Sequence, residues 1–242
     1  MIKYMVLVLF CGMILMNYLA NALPLNNMTT GQLSDSYPNL FVPAGLTFSI
    51  WGVIYLLLAV CCVLQFTRNT RDTMLLIGWA FAVTCILNSL WIIFWHYQLV
   101  PLSLLTMVGL LVTLIVINMR IVNLPYGIIK ASFGIYLGWI CIATIANVTA
   151  LLVDIGWKGG PLSEVTWTII MIFTGAAIAM ASIVQFKNPF IGLSVIWAFI
   201  GIIIKRNSDY NAIVIAASLG IILVAVIVVL RFFTKVPIAI TN

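Results

Sequence analysis

Tyr136, Trp139, Ala143 and Asn147 stand at i, i+3, i+7 and i+11 of one apolar stretch. At about 100° per helical residue, that spacing keeps them within about 60° of one face. Asn88, Trp91 and Trp95 repeat the pattern in a second stretch, and Phe48, Trp51 and Tyr55 in a third. The chemistry these side chains offer is recognition rather than bond-making. Flat aromatic faces stack on a conjugated ring, a few Asn or Tyr groups orient its polar edge, and Ala143 leaves room beside them. Counted from the outer ends of their segments at about 1.5 Å per residue, Trp51, Asn88, Trp91, Ala143 and Asn147 all fall roughly 8 to 14 Å deep. A second reading of the same residues is structural: an interfacial aromatic belt, with Asn side chains bonding helix to helix. It accounts for Trp95, Tyr97, Trp157 and Trp167, and less well for Trp51, Trp91 and Trp139, which lie a turn or more inside the apolar runs. Spacing alone leaves both open.

The elements that must position these residues are membrane helices. The chain is 64% hydrophobic and only 7% charged, with several runs near the roughly 20 apolar residues that cross about 30 Å of hydrocarbon. The fold class is therefore an all-α integral membrane protein of about eight transmembrane helices, expected over 4–22, 44–66, 74–97, 99–119, 126–153, 165–186, 190–204 and 210–232. The seventh is the shortest. The alternating strands of about ten residues that mark an outer-membrane barrel are not seen, so backbone groups must be satisfied within helices.

Cytoplasmic loops retain Lys and Arg. With the N-terminus inside, Lys3, Arg68, Arg71, Arg120, Lys130, Lys187, Arg231 and Lys235 fall on the cytoplasmic side and Lys158, Lys205 and Arg206 outside, so both termini are expected to be cytoplasmic. The net charge of +6 then reads as topology, with attraction to anionic lipid, and not as a nucleic-acid signal. The first segment also has the outline of a signal peptide: a Lys, an apolar run and Ala20-Asn21-Ala22. Its removal would leave seven spans, and the sequence admits that.

Conventional active sites are disfavoured. Cys11, Cys61, Cys62, Cys85 and Cys141 all lie in apolar segments without CxxC spacing, as buried small hydrophobes would. The single His96 is expected at the interface beside Trp95 and Tyr97, and no metal site is expected. None of the five acids falls near the centre of a span, which disfavours ion-coupled transport. No Gly-rich phosphate loop with Lys is present, so ATP hydrolysis by this chain is not expected. Asn27-Met28-Thr29 is a glycosylation sequon on an outside loop, relevant only in a eukaryotic secretory setting.

The residues also resemble a family. Pro43 to Tyr55, reading PAGLTFSIWGVIY, resembles the proline, aromatic and W-x-x-x-Y stretch of the TspO/MBR family of tryptophan-rich sensory proteins, related to the mitochondrial translocator protein. Leu87-Asn88-Ser89-Leu90-Trp91 followed by Phe94 matches that family's L-N-x-x-W segment, and Tyr136, Trp139, Ala143 and Asn147 match its P-Y-x-x-W-x-x-F-A-x-x-L-N helix. Departures are Ile135 for Pro, Ile142 for Phe, and a first loop with Tyr37 and Phe41 but no Trp. The resemblance covers about residues 1–152 and implies a five-helix core whose outside loop, 23–43, covers the pocket. Residues 153–242 would hold three additional helices, expected to pack against lipid or another helix, with Trp197 remote from the site.

What the resemblance implies is a membrane-embedded binding protein or sensor for a flat lipophilic ligand, a tetrapyrrole, porphyrin or sterol-like molecule. Phe48, Trp51, Tyr55, Asn88, Trp91, Tyr136, Trp139, Ala143 and Asn147 would line its site. No cofactor is required, a bound porphyrin or haem-like ligand is compatible, and catalysis is not demanded by any residue. Membrane lipid, a lipophilic small molecule and a further copy of the chain are the expected partners, in a bacterial cell membrane. The alternatives are a permease or transporter subunit moving a lipophilic or peptide substrate, and a structural membrane partner without ligand.

Overall fold

A computed structural model describes residues 1–22, 25–67 and 71–233. The cations Arg68 and Lys235 lie outside the described residues. The helices are α1 (Ile2–Ala22), the short α2 (Thr30–Asp35), α3 (Ile50–Leu64), α4 (Arg71–His96), α5 (Val100–Arg120), α6 (Ile128–Asp154), α7 (Glu164–Phe186), α8 (Phe190–Arg206) and α9 (Asn211–Phe233). A 3-10 turn, Gly45–Ser49, leads into α3. Their boundaries follow local chemistry. Pro101 sits in the first turn of α5, where a missing N–H costs nothing. Ser163 caps α7 by accepting from Thr166 N, and Lys187 ends that helix in the left-handed region.

Among the described residues seven helices, counting 45–64 as one, are long and apolar enough to cross a membrane. The expected span at 190–204 differs, because α8 has only 17 residues, about 25 Å at 1.5 Å per residue. It nevertheless runs from one end of the bundle to the other. At its start Asn188 Nδ2 donates to Asn118 Oδ1 and to the Lys130 carbonyl. At its end Arg206 reaches the carbonyls of Asn39 and Leu40 in the loop before α3. Asn118 lies in the last turn of α5 and Lys130 in the first of α6, so the two ends of α8 mark opposite faces.

α4 packs against α1 and α5, α5 against α6, and α3 against α6 and α1, which closes a ring of five helices. α7, α8 and α9 pack on one another and join the ring chiefly where α8 meets α6. That seam needs a glycine: a Cβ on Gly138 of α6 would overlap the Ile191 backbone and the Ser194 hydroxyl of α8. The N-terminal end of α1, Arg120, Lys130 and Arg231 share one end of the bundle: Arg120 donates to Leu76 O, Tyr126 to Arg231 O, and Lys130 Nζ to the Val122 and Lys187 carbonyls. Lys130 is buried there, its ammonium 5.4 Å from the Tyr126 ring centre. Lys158, Lys205 and Arg206 lie at the other end.

Candidate functional site

The aromatic stripes of α3, α4 and α6 converge near that second end, with Trp51 at the centre. Its ring stacks on Tyr55 (5.4 Å between centroids, 21° between planes) and lies 6.0 Å from Trp91, 5.9 Å from Tyr136 and 6.2 Å from Trp139. Phe48 meets Trp139 edge to face at 6.0 Å, and Trp91 stacks on Trp95. Offset and edge-to-face pairs of this kind hold rings at fixed angles.

All nine residues singled out in the sequence come together here, but in two layers. Phe48, Trp51, Trp91, Trp139, Ala143 and Asn147 wall a cavity with about 40 Å³ of open space. Tyr55, Asn88 and Tyr136 lie in a hydrogen-bond chain that runs through Asn17. Tyr55 Oη donates to Asn17 Oδ1 (2.6 Å), Asn17 Nδ2 to Asn88 Oδ1 (2.7 Å), and Asn88 Nδ2 to Tyr136 Oη (3.1 Å). These groups bond one another, and Asn17 and Tyr55 also border a groove on the far side of Trp51. Asn147 is likewise engaged, its Oδ1 accepting from Ser103 and Trp91 and its Nδ2 donating to Ala143 O. Sequence reading missed Asn17 and Ser103. Their signal is a polar residue inside an apolar helix, without the aromatic neighbours that marked the other stripes.

Two polar atoms of the cavity wall have no hydrogen-bond partner among the described residues: Trp139 Nε1 and Thr30 Oγ1. Trp139 is 3% exposed, and its indole N–H can only donate. A buried donor left unpaired costs about 1–3 kcal/mol. The cavity therefore offers an unmet indole N–H and an unmet hydroxyl beside aromatic walls.

Thr30, Ser34, Asn39, Val42 and Pro43, from the segment before α3, line the cavity as its roof. α2 is fixed by a capping box in which Thr29 and Gln32 satisfy each other's backbone. Leu33, Tyr37, Leu40 and Phe41 turn inward and are buried. Tyr37 packs on Trp95 at 5.6 Å, and burial together with the Asp154 carboxylate pushes its phenol pKa up. His96, expected at the interface, is instead buried at 1% exposure beneath this loop, where its carbonyl accepts from Asn26. Its Nδ1 lies 2.9 Å from Ile92 O.

Trp197, expected to be remote, props up the site. Its Nε1 donates to Thr47 O, and Ala44 N donates to Gly201 O of the same helix. Lys205 pairs with Asp35 at 2.6 Å, so α8 holds both the roof and the turn that carries Phe48. On the far side of Trp51 a groove of about 440 Å³, bordered by Ile14, Tyr18, Gly52 and Tyr55, opens between α1 and α3. Phe48, Trp51 and Thr30 line both spaces and form the partition between them.

Residues 3–230 match the TSPO-like protein family. The chain belongs to that family. The match runs through α7, α8 and most of α9, well beyond the 1–152 stretch that carries the motifs. No curated protein and no solved structure gives a match. A TSPO-like chain with several apolar helices is an integral, multi-pass membrane protein in contact with lipid.

Proposed function

We propose that this TSPO-like protein is a membrane-embedded binding protein or sensor for a flat lipophilic molecule that carries a hydrogen-bond acceptor, with tetrapyrroles as the first class to test. Family membership supports a binding or sensing role. The observation that carries the reading is Trp139 Nε1, a buried donor without a partner at the wall of an aromatic cavity. A carbonyl or carboxylate oxygen on the ligand would meet it, and the rings of Trp51 and Trp91 would take the ligand's faces.

A drug-sized ligand needs roughly 300–1,000 Å³, far more than the 40 Å³ of the closed cavity. Binding therefore requires movement. Swinging Trp51 off Tyr55 would merge the cavity with the groove between α1 and α3 and admit a molecule from the bilayer, while the roof of residues 29–43 closes the outer side. The hydrogen-bond chain from Tyr55 to Tyr136, which joins α1, α3, α4 and α6, favours a second reading, helix packing without ligand. Titration of purified protein with a porphyrin series, followed by Trp fluorescence quenching, separates the two. Saturable quenching that is lost in Ala143→Phe supports the site, and the absence of saturable binding favours packing.

A further inference from the structure

α6, α7 and the loop that joins them build a second concavity, apart from the aromatic site. α6 and α7 pack only lightly on each other, and a groove of about 780 Å³ opens between them. Ile145, Val148, Leu152 and Val153 line it from α6 and Met171 from α7, a volume in the range of sites that take drug-sized apolar ligands. Its mouth is built rather than frayed. Trp167 and Trp157 pack edge to face at 5.2 Å, and Trp167 Nε1 donates to Gly159 O at 2.7 Å. Gly159 has a φ of +80°, and a Cβ there would press on the Trp167 ring.

Two opposite charges line this apolar groove, Lys158 and Glu164. Both are exposed, and neither forms an ion pair among the described residues, where the one salt bridge joins Lys205 to Asp35. Through Pro38, Asn39, Leu40 and Glu164 the groove continues into a polar pouch of about 340 Å³ that also contains Lys205 and Arg206. An apolar channel between two spanning helices, a Trp pair at interfacial depth and a separated cation and anion at the mouth together match one kind of molecule.

We infer that the groove between α6 and α7 binds a zwitterionic phospholipid, one acyl chain lying along Val148 and Leu152, the phosphate at Lys158 and the ammonium at Glu164. The site is independent of the cavity at Trp139, so it stands or falls separately. It differs from a plain lipid-facing surface in that the roof residues Pro38 to Leu40 border it on the outer side and lead into the polar pouch.

The test uses the full chain in phosphatidylglycerol nanodiscs doped with phosphatidylethanolamine bearing a diazirine midway along one acyl chain. Adducts on residues 145–153 and 167–171 are expected at least tenfold above those on the lipid-facing side of α1. Unlabelled phosphatidylethanolamine should compete them away. Val148→Trp fills the groove from an exposed position and should abolish them, and Lys158→Glu, on the exposed loop, should reduce them about tenfold. Thermal melts confirm that both variants fold. Equal labelling of the groove and α1, or labelling unchanged in Val148→Trp, overturns the proposal. Competition by extra phosphatidylglycerol as strong as that by phosphatidylethanolamine overturns the zwitterion assignment. An unlabelled groove in which a cysteine at position 148 instead forms a disulfide with a second copy assigns the groove to self-association.

Discussion

Trp197 Nε1 donates to the Thr47 carbonyl oxygen at 2.9 Å, across 150 residues of sequence. Thr47 precedes Phe48 in the turn that starts α3, so a tryptophan of α8 sets where the aromatic wall begins. Trp197→Phe keeps most of the ring and removes the bond, at about 1 kcal/mol. For a chain of this size a fall in melting temperature of roughly 2–4 °C follows. Porphyrin affinity should weaken as well, although Trp197 does not border the cavity. Unchanged melting and unchanged affinity would show that the turn holds without it.

At Trp139 stability and binding should move in opposite directions. Trp139→Phe deletes an N–H that has no partner, so the ligand-free protein should melt no lower than wild type. Binding of an acceptor-bearing porphyrin should weaken by about 1–3 kcal/mol, roughly ten- to a hundredfold. Ala143→Phe works by volume, since the cavity has no space for a ring, and overpacking costs about 1–3 kcal/mol. Equal affinity for wild type and both variants would separate the cavity from ligand binding.

The roof is clamped by Arg206, which donates to Asn39 O at 2.8 Å and to Leu40 O at 3.1 Å. Arg206→Leu removes both donors. Hydrogen exchange over residues 36–42 should accelerate, and ligand should both bind and leave faster with a smaller change in affinity. Exchange indistinguishable from wild type would mean that the buried Leu33, Tyr37 and Phe41 hold the roof unaided.

Cations gather at one end of the bundle, and α8 crosses from that end to the other. A cysteine introduced at Asn123 and one at Ser208, in a background without the five native cysteines, should therefore label from opposite sides of the membrane. Asn123 is expected to label from the cytoplasm. Labelling of both from one side would remove α8 from the count of crossings.

Stripes at helical spacing made the ring legible, because Trp and Asn at i, i+3 and i+7 inside apolar runs mark a shared face whatever the tertiary arrangement. Helix positions were legible for the same reason. The division of labour within the stripe was not, since Asn88 and Trp139 have similar sequence surroundings. Asn17 from α1 and Tyr136 from α6 satisfy the first, while no hydrogen-bond partner reaches the indole N–H of the second among the described residues. Spacing also could not tie α8 to the turn before α3. The contact rests on Gly201, where a Cβ would overlap Thr47 and Pro43, and a glycine in an apolar run reports nothing about which partner approaches it. His96 misled for a related reason: its place at a helix end looked interfacial, until a loop folded over it.

The clamp of Arg206 on the roof also sets an order of events during synthesis. Residues 29–51 leave the ribosome early, and the groups that fix them, Trp197, Gly201, Lys205 and Arg206, leave late. Until α8 has been translated, the nascent protein presents its aromatic wall without the groups that clamp its cover. A chain truncated before residue 190 would hold the five-helix ring and α7 but none of the α8 groups that fix the roof. Quality control in the membrane would meet that unroofed bundle as an unfinished product.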